Sequence, residues 1–335
     1  MPFGDSMPAS GHLSIKNLQV GFGRGDKSRT VIHGVTFDLA SGSAFGLIGE
    51  SGSGKSLTCR SILGLLPPGA TMHGEIVYGD IVLNHLNERA MRAYRGSKIG
   101  MIFQDPMTAL NPVMRVGDAI AQVIGTHTKS SGRKAKNEAV HMMERVGIIN
   151  ASARSRDYPH QFSGGMRQRI VIAIALAAKP SVLLADEPTT ALDVITQAEI
   201  LRLIDRLRRE DGMSLLLVSH DLGVVANVCD DLGVMYSGEL VELGPTGAVL
   251  AAPRHPYTRG LLDSLPDETS AGVRLRPIRG SPPDPVHRPS GCVFAPRCPL
   301  VTEECRSQAI PLLPVGPHRS SRCIHVGGLM QETNA

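Results

Sequence analysis

The sequence predicts an α/β protein with a small irregular appendage, and three observations carry that expectation. Short strand-like runs alternate with helical stretches up to about residue 252. A complete glycine-rich loop of the phosphate-binding type stands between one such run and a helix. Of the 23 prolines, 13 lie between Pro253 and Pro317, where regular helix and sheet are expected largely to end.

In order along the chain, Ser14 to Val20 and Val31 to Leu39 alternate like half-buried antiparallel strands. Phe45 to Ile48, Val182 to Ala185 and Leu215 to Val218 are continuous apolar runs, as in parallel strands buried on both faces. Between them, Asp105 to about Gln161 has no comparable run; it reads as mostly helical, with a break at Lys129 to Lys134. It is therefore expected to be an inserted helical subdomain. No internal repeat is evident, and each motif below occurs once.

At 335 residues the chain is long enough for one sizeable domain and a smaller one. Hydrophobic residues make up 42% and charged residues 20%, as in an ordinary globular protein. The net charge of +4 is scattered, so nucleic-acid binding is not indicated. The longest apolar run, Ile170 to Ala178, is well short of the ~18 residues that read as a membrane span. The start, MPFGDSMPASGH, has neither region of a signal peptide. A cytoplasmic chain that reaches a membrane only through a partner is the expectation.

The loop is Gly49-Glu-Ser51-Gly52-Ser53-Gly54-Lys55-Ser56, a full G-x-x-x-x-G-K-[ST] in the context strand, loop, helix. Its glycines let the backbone curl so that successive N–H groups and a helix start face an anion. Lys55 would reach the β- and γ-phosphates of a nucleotide and Ser56 would ligate Mg²⁺. The apolar run 182–185 ends in Asp186 and Glu187. The first carboxylate can hold Mg²⁺ and the second can polarise an attacking water. These features alone leave kinases, GTPases, helicases and transporters open.

Phe162-Ser163-Gly164-Gly165-Met166 resembles the ABC ATPase signature, usually Leu-Ser-Gly-Gly-Gln. The rest of that set follows in order: Gln104 after Gly100-Met-Ile-Phe, Ala191-Leu-Asp193 after the acidic pair, and His220 after Leu215 to Val218. The resemblance implies a P-loop ABC ATPase cassette over residues 12–252, with a mixed sheet core, an antiparallel β subdomain and a helical subdomain at about 105–163. It also implies that Ser163, Gly164, Gly165 and Met166 face the γ-phosphate of an ATP held by another subunit, so that closure of a dimer and ATP binding are one event. Gln104 then senses the γ-phosphate and touches Mg²⁺, His220 hydrogen-bonds the γ-phosphate, and Asp193 lies near the nucleotide. Phe22 sits where the family stacks an aromatic on adenine; a core phenylalanine is the alternative. Phe162 for Leu and Met166 for Gln are departures that also occur in the peptide-importer branch.

His255 to Leu262 and Gly280 to Pro299 look like the C-terminal extension of the dipeptide/oligopeptide importer ATPases, a branch that includes nickel and other small-solute members. The resemblance implies an ATP-hydrolysing subunit at the cytoplasmic face of the membrane. Its partners would be two transmembrane permease subunits, a second and paralogous ATPase and, indirectly, an extracytoplasmic solute-binding protein. A non-transport ABC ATPase is disfavoured because there is no second cassette, long coiled coil or basic arm. A degenerate cassette is disfavoured by the intact Lys55, Asp186, Glu187 and His220.

In the extension at 253–335, Cys292, Cys298, Cys305 and Cys323 have the spacing C-x5-C-x6-C-x17-C. Four clustered thiols suit Zn²⁺ or an iron–sulfur cluster, or remain free. The branch resemblance implies a [4Fe–4S] cluster with a structural role, holding a tail too poor in periodic apolar residues to bury much core. Cys59 and Cys229 read as buried small hydrophobes.

Overall fold

The computed structural model describes residues 11–23, 29–105, 109–190, 192–264, 278–283 and 288–326. Its main elements, in chain order, begin with β1 (Leu13–Phe22), β2 (Arg29–Leu39), β3 (Ala44–Ile48), α1 (Lys55–Ile62), β4 (Ala70–Tyr78), β5 (Ile81–Val82) and β6 (Ile99–Ile102). The middle holds α2 (Val116–His127), α3 (Gly132–Arg145), α4 (Gly164–Leu176), β7 (Val182–Asp186), α5 (Val194–Asp211) and β8 (Ser214–Val218). The last part holds α6 (Leu222–Val228), β9 (Asp231–Tyr236), β10 (Glu239–Pro245), α7 (Pro256–Asp263), β11 (Leu313–Gly316) and β12 (Arg319–Ser321). No helix among the described residues is long and apolar enough to cross a membrane.

The chain divides into two compact units. One takes residues through Ser14, Asp38–Ala44 and Ile76–Val218; the other takes Ile15–Phe37, Phe45–Glu75 and the described residues from Ser219 onward.

In the first unit β6, β7 and β8 pair in parallel, with Ile99 opposite Val182 and Leu183 opposite Leu215. Every residue of the three strands is buried, which is why each reads as an unbroken apolar run. The apolar run Ile170 to Ala178 forms the C-terminal half of α4 and continues just past its end. Ile170, Val171, Ile172, Ala173 and Leu176 are all buried, as expected of a helix apolar on every side. α2 and α3 fall in the expected helical segment, and the break between them is 128–131.

In the second unit β2, β1 and β4 lie side by side in that order. Within that unit Val35 and Phe37 of β2 are buried while Thr36 between them is exposed, the alternation expected from the sequence. β3 pairs in parallel with β9, and β9 turns back into β10 through Ser237 and Gly238, both at positive φ (45° and 81°). That is the geometry of a type I′ hairpin turn.

The region beyond Pro253 is more regular than its proline content predicts. α7 begins with Pro256 in its first turn, where the missing N–H costs nothing. β12 pairs with β10 and β11 with β12, so the extension adds two strands to a sheet. The expectation of little buried core is also overturned. Tyr257, Val293 and Phe294 are buried, and Phe294 meets Tyr236 edge-on with centroids 5.2 Å apart. A few aromatics scattered along the chain can bury as much area as a periodic apolar face, without leaving a period to read. Cys59 and Cys229 are buried, as expected.

Candidate functional site

In the second unit β3 delivers the chain to Gly49, where φ is +149° and an added Cβ would overlap the Met235 carbonyl oxygen. Gly54, at φ +102°, precedes α1, and a Cβ there would overlap Ile32 Cδ1. Only glycine fits either position. Lys55 follows with 4% of its surface exposed, and its ammonium donates to the carbonyls of Gly49 (2.8 Å) and Glu50 (2.9 Å) and faces Ser53 Oγ at 3.5 Å. The amine is thus held at the loop by neutral oxygens, an arrangement suited to an anion. Ser51 and Gly52 are exposed at the crest, Ser53 is buried, and Ser56 is half-buried in the first turn of α1. Phe22, the last residue of β1, is half-buried. His220 is exposed, next to Asp221, whose carboxylate caps α6 by accepting from Gly223 N (2.9 Å) and Val224 N (3.2 Å).

In the first unit Asp186 ends β7 fully buried, and Glu187 follows at φ +46°, its N–H donating to the Val218 carbonyl at 3.0 Å. Left-handed backbone in a non-glycine residue is strained and recurs at reacting positions. Glu187 Oε2 accepts from Gln104 Nε2 (2.9 Å) and from Thr190 Oγ1 (2.9 Å), so the fold brings Gln104 to Glu187, the residue after Asp186. Asp193 caps α5: one oxygen accepts from Thr196 N at 3.0 Å and the other from the Thr196 hydroxyl at 2.7 Å. The hydrogen bonds from Thr196 hold its carboxyl below the usual range. Ala191 lies outside the described residues.

Ser163 caps α4, its Oγ accepting from Met166 N at 3.4 Å. A Cβ on Gly165 would stand 2.7 Å from Thr196 Cγ2, so this position needs glycine for a close approach to α5. The two departures from the family signature share one neighbour. The Arg154 guanidinium lies 4.1 Å above the buried Phe162 ring, and its Nη1 is 3.5 Å from Met166 Sδ.

The extension holds what sequence reasoning missed. Glu50, Tyr257 and Arg297 are joined by hydrogen bonds around the loop of the same unit. Glu50 looks like a variable loop position and Arg297 like a solvated charge, so no local pattern marks them. Gln168 was missed as well: it is buried on α4 and donates to the Pro188 carbonyl, bracing the turn after Glu187.

Cys292, Cys298, Cys305 and Cys323 all line one small cavity, with His325 beside them. Cys305 Sγ is 3.4 Å from His325 Nε2, and Cys292 N donates to the Cys305 carbonyl at 2.7 Å. Burial raises the thiols of Cys292, Cys298 (to about 11) and Cys323 (to about 12). Among the described residues, no group of three or more His, Cys, Asp or Glu side chains stands at metal-holding geometry. Asp284 to His287, part of the segment that resembles the importer extension, lie outside the described residues.

A parallel sheet strand ending in this loop, and a second ending in paired carboxylates, define a nucleotide-hydrolysing cassette protein. The ABC transporter family matches residues 32–190, and the C-terminal region of oligopeptide/dipeptide transporters matches residues 241–305. The chain is 49% identical over 289 residues to the dipeptide transport ATP-binding protein DppD of Bacillus subtilis, covering 86% of each chain. It is 43% identical over 316 residues to the oligopeptide transport ATP-binding protein OppD of Salmonella typhimurium, covering 94% of each. A dimeric ATP-binding cassette solved in a post-hydrolysis state with ADP and Pi is 28% identical, with a TM-score of 0.62 over 70% of this chain and 98% of that one. The chain belongs to the ABC transporter family, among its ATP-hydrolysing subunits with the oligopeptide/dipeptide C-terminal region.

Proposed function

We propose that the chain powers an importer of dipeptides or oligopeptides from the cytoplasmic face of the membrane, working with two permease subunits, a paralogous ATPase and an external binding protein. The observation that carries this reading is the 43–49% identity to dipeptide and oligopeptide transport ATP-binding proteins, which extends through the C-terminal region. The same role for nickel or another small solute is the second reading, because cargo is recognised by other subunits.

In the proposed mechanism the amides of Gly49 to Ser56 and the Lys55 ammonium bind the β- and γ-phosphates of ATP. Ser56, Gln104 and Asp186 supply oxygen donors of the kind Mg²⁺ takes, and the bound ion would neutralise phosphate charge. Glu187, held by Gln104 and Thr190, orients the water and accepts its proton. His220 hydrogen-bonds the γ-phosphate and Phe22 stacks on adenine. Ser163, Gly164, Gly165, Met166 and Asp193 serve the nucleotide of the neighbouring ATPase, so catalysis is positioning plus charge neutralisation across a dimer.

We propose further that Cys292, Cys298, Cys305 and Cys323 bind a [4Fe–4S] cluster or a zinc ion that holds the extension in place; the four thiols line one cavity, and they would have to draw closer to reach metal-holding geometry. Because burial favours the neutral thiols, loading the site must release protons. Anaerobically purified protein should be brown and contain about four irons per chain; stoichiometric zinc without iron replaces the cluster, and neither metal removes it. For the transporter role, the chain is purified with its partners from the membrane and the subunits identified. Peptide-stimulated ATP turnover supports the reading, and stimulation by nickel or another small solute alone transfers it to the second.

A further inference from the structure

The phosphate loop is fastened from far along the chain. The Glu50 carboxylate receives a two-pronged contact from Arg297, with Nη1 to Oε2 at 2.7 Å and Nη2 to Oε1 at 3.0 Å. The same guanidinium donates through Nε to the Arg279 carbonyl (2.9 Å) and through Nη1 to the Tyr236 hydroxyl (3.2 Å), and its side chain is 5% exposed. The Glu50 N–H donates to the Tyr257 hydroxyl at 2.8 Å, and burial pushes that phenol well above its usual range. Glu50 also offers its carbonyl to the Lys55 ammonium at 2.9 Å. One residue therefore joins the C-terminal extension to the lysine of the loop by three groups: side chain, N–H and C=O.

We infer that Arg297 and Tyr257 are positioning residues for nucleotide binding, which hold the loop through Glu50 and cancel its charge. The inference rests on the reading of residues 49–56 as the ATP phosphate loop. A carboxylate within that loop repels a polyphosphate unless a cation neutralises it. Arg297 does so in a fork geometry that lysine cannot reproduce, and its buried guanidinium would be left without a countercharge if the part-exposed Glu50 carboxylate were lost. Fastening the extension would need only some grip on the surface. Gripping the loop residue whose carbonyl holds Lys55 ties the extension to the affinity for ATP. Pro282 and Pro283 line a cavity of about 350 Å³ together with Glu50, Ser51, Gly52 and Ser53, so the extension also borders the crest of the loop.

The test is ATP affinity of the full-length chain by titration with a fluorescent ATP analogue, with thermal melting read alongside. Arg297→Met should weaken binding about tenfold, the scale of a charged hydrogen-bond pair. Adding Glu50→Gln to it should restore most of the affinity without restoring the melting temperature, because the repelling charge is gone while the fastening is still lost. Tyr257→Phe, which removes one hydroxyl, should weaken binding about threefold. Affinity within about twofold of the parent in folded Arg297→Met, or a double variant no better than the single, overturns the inference. If Arg297→Met does not fold, unchanged affinity in Tyr257→Phe overturns it. Lys55→Ala separates the two failures: if it too keeps full affinity, the reading of the loop is wrong, and if it alone loses affinity, only the role of Arg297 and Tyr257 falls.

Discussion

The loop from Gly49 to Ser56 and the pocket lined by Cys292, Cys298, Cys305 and Cys323 are both small sites in one unit, shaped by opposite means. The loop takes its form from its own backbone: glycines at positive φ, a strand before it, a helix after it, and a lysine turned back onto its carbonyls. The pocket is assembled from a turn, a short helix, the segment after β12 and His255 before α7, and little within any one of them foretells the others. A site made by local backbone should lose only part of its affinity when a distant contact is removed, and fail outright on changes of its own chemistry. A site made by convergence should fail when a distant buried contact is removed.

The largest effect is expected from removing chemistry beside an intact backbone. Glu187→Gln should lower ATP turnover of the assembled transporter about 10²–10⁴-fold while nucleotide binding persists. Phosphate release and analogue titration measure the two separately, and near-normal hydrolysis by a transporter with a disabled partner site would refute the role of Glu187.

Next in size is a buried contact of the extension. Glu242 is 0% exposed and accepts from Arg319 Nη2 (2.8 Å), Arg254 N (2.8 Å) and His255 N (3.0 Å), so it binds β10 to both ends of the extension. Glu242→Gln leaves Arg319 buried without its countercharge and should destabilise this region by roughly 3–5 kcal/mol. Limited proteolysis should show cleavage after residue 253 while cleavage within α4 is unchanged; equal loss in both places would erase the contrast between the regions.

A smaller effect follows from pH. His255 is fully buried, its Nδ1 accepts from Tyr257 N at 3.1 Å, and burial lowers its pKa to about 3. The folded state thus holds the neutral ring, whereas the unfolded chain takes up a proton below about 6.5. Stability from this residue is present above that value and is lost as pH falls toward 3. Protease sensitivity of the extension should rise between pH 7 and pH 5, and His255→Asn, which keeps a capping acceptor, should flatten the dependence. An unchanged pH profile in that variant would remove His255 as the cause.

The smallest effect is expected at Phe162→Leu, which restores the usual family residue. It removes the ring under Arg154 and should cost less than about 1.5 kcal/mol in a thermal melt, with turnover preserved. A large loss of activity would make Phe162 part of the working signature instead of a packing variant.

The strands at Phe45–Ile48, Val182–Ala185 and Leu215–Val218 were legible because burial on both faces leaves an unbroken apolar run. The loop was legible because phosphate recognition by backbone amides demands glycine at fixed offsets. Gln104 and His220 carried no signal of their own and were singled out by the order of neighbouring motifs. Arg297, Glu50 and Tyr257 fall within recognised segments, but nothing in those segments signalled that they meet, since the partners are 207 and 247 positions apart. Local pattern therefore determined by itself that this chain has a glycine-rich loop between a strand and a helix, paired carboxylates after a buried strand and a helix capped by Ser163, because each is set by residues within one turn or strand. Only the tertiary structure decided that a proline-rich extension bears strands and a core and grips the loop, because buried ion pairs and scattered aromatics act across any sequence distance and leave no period behind.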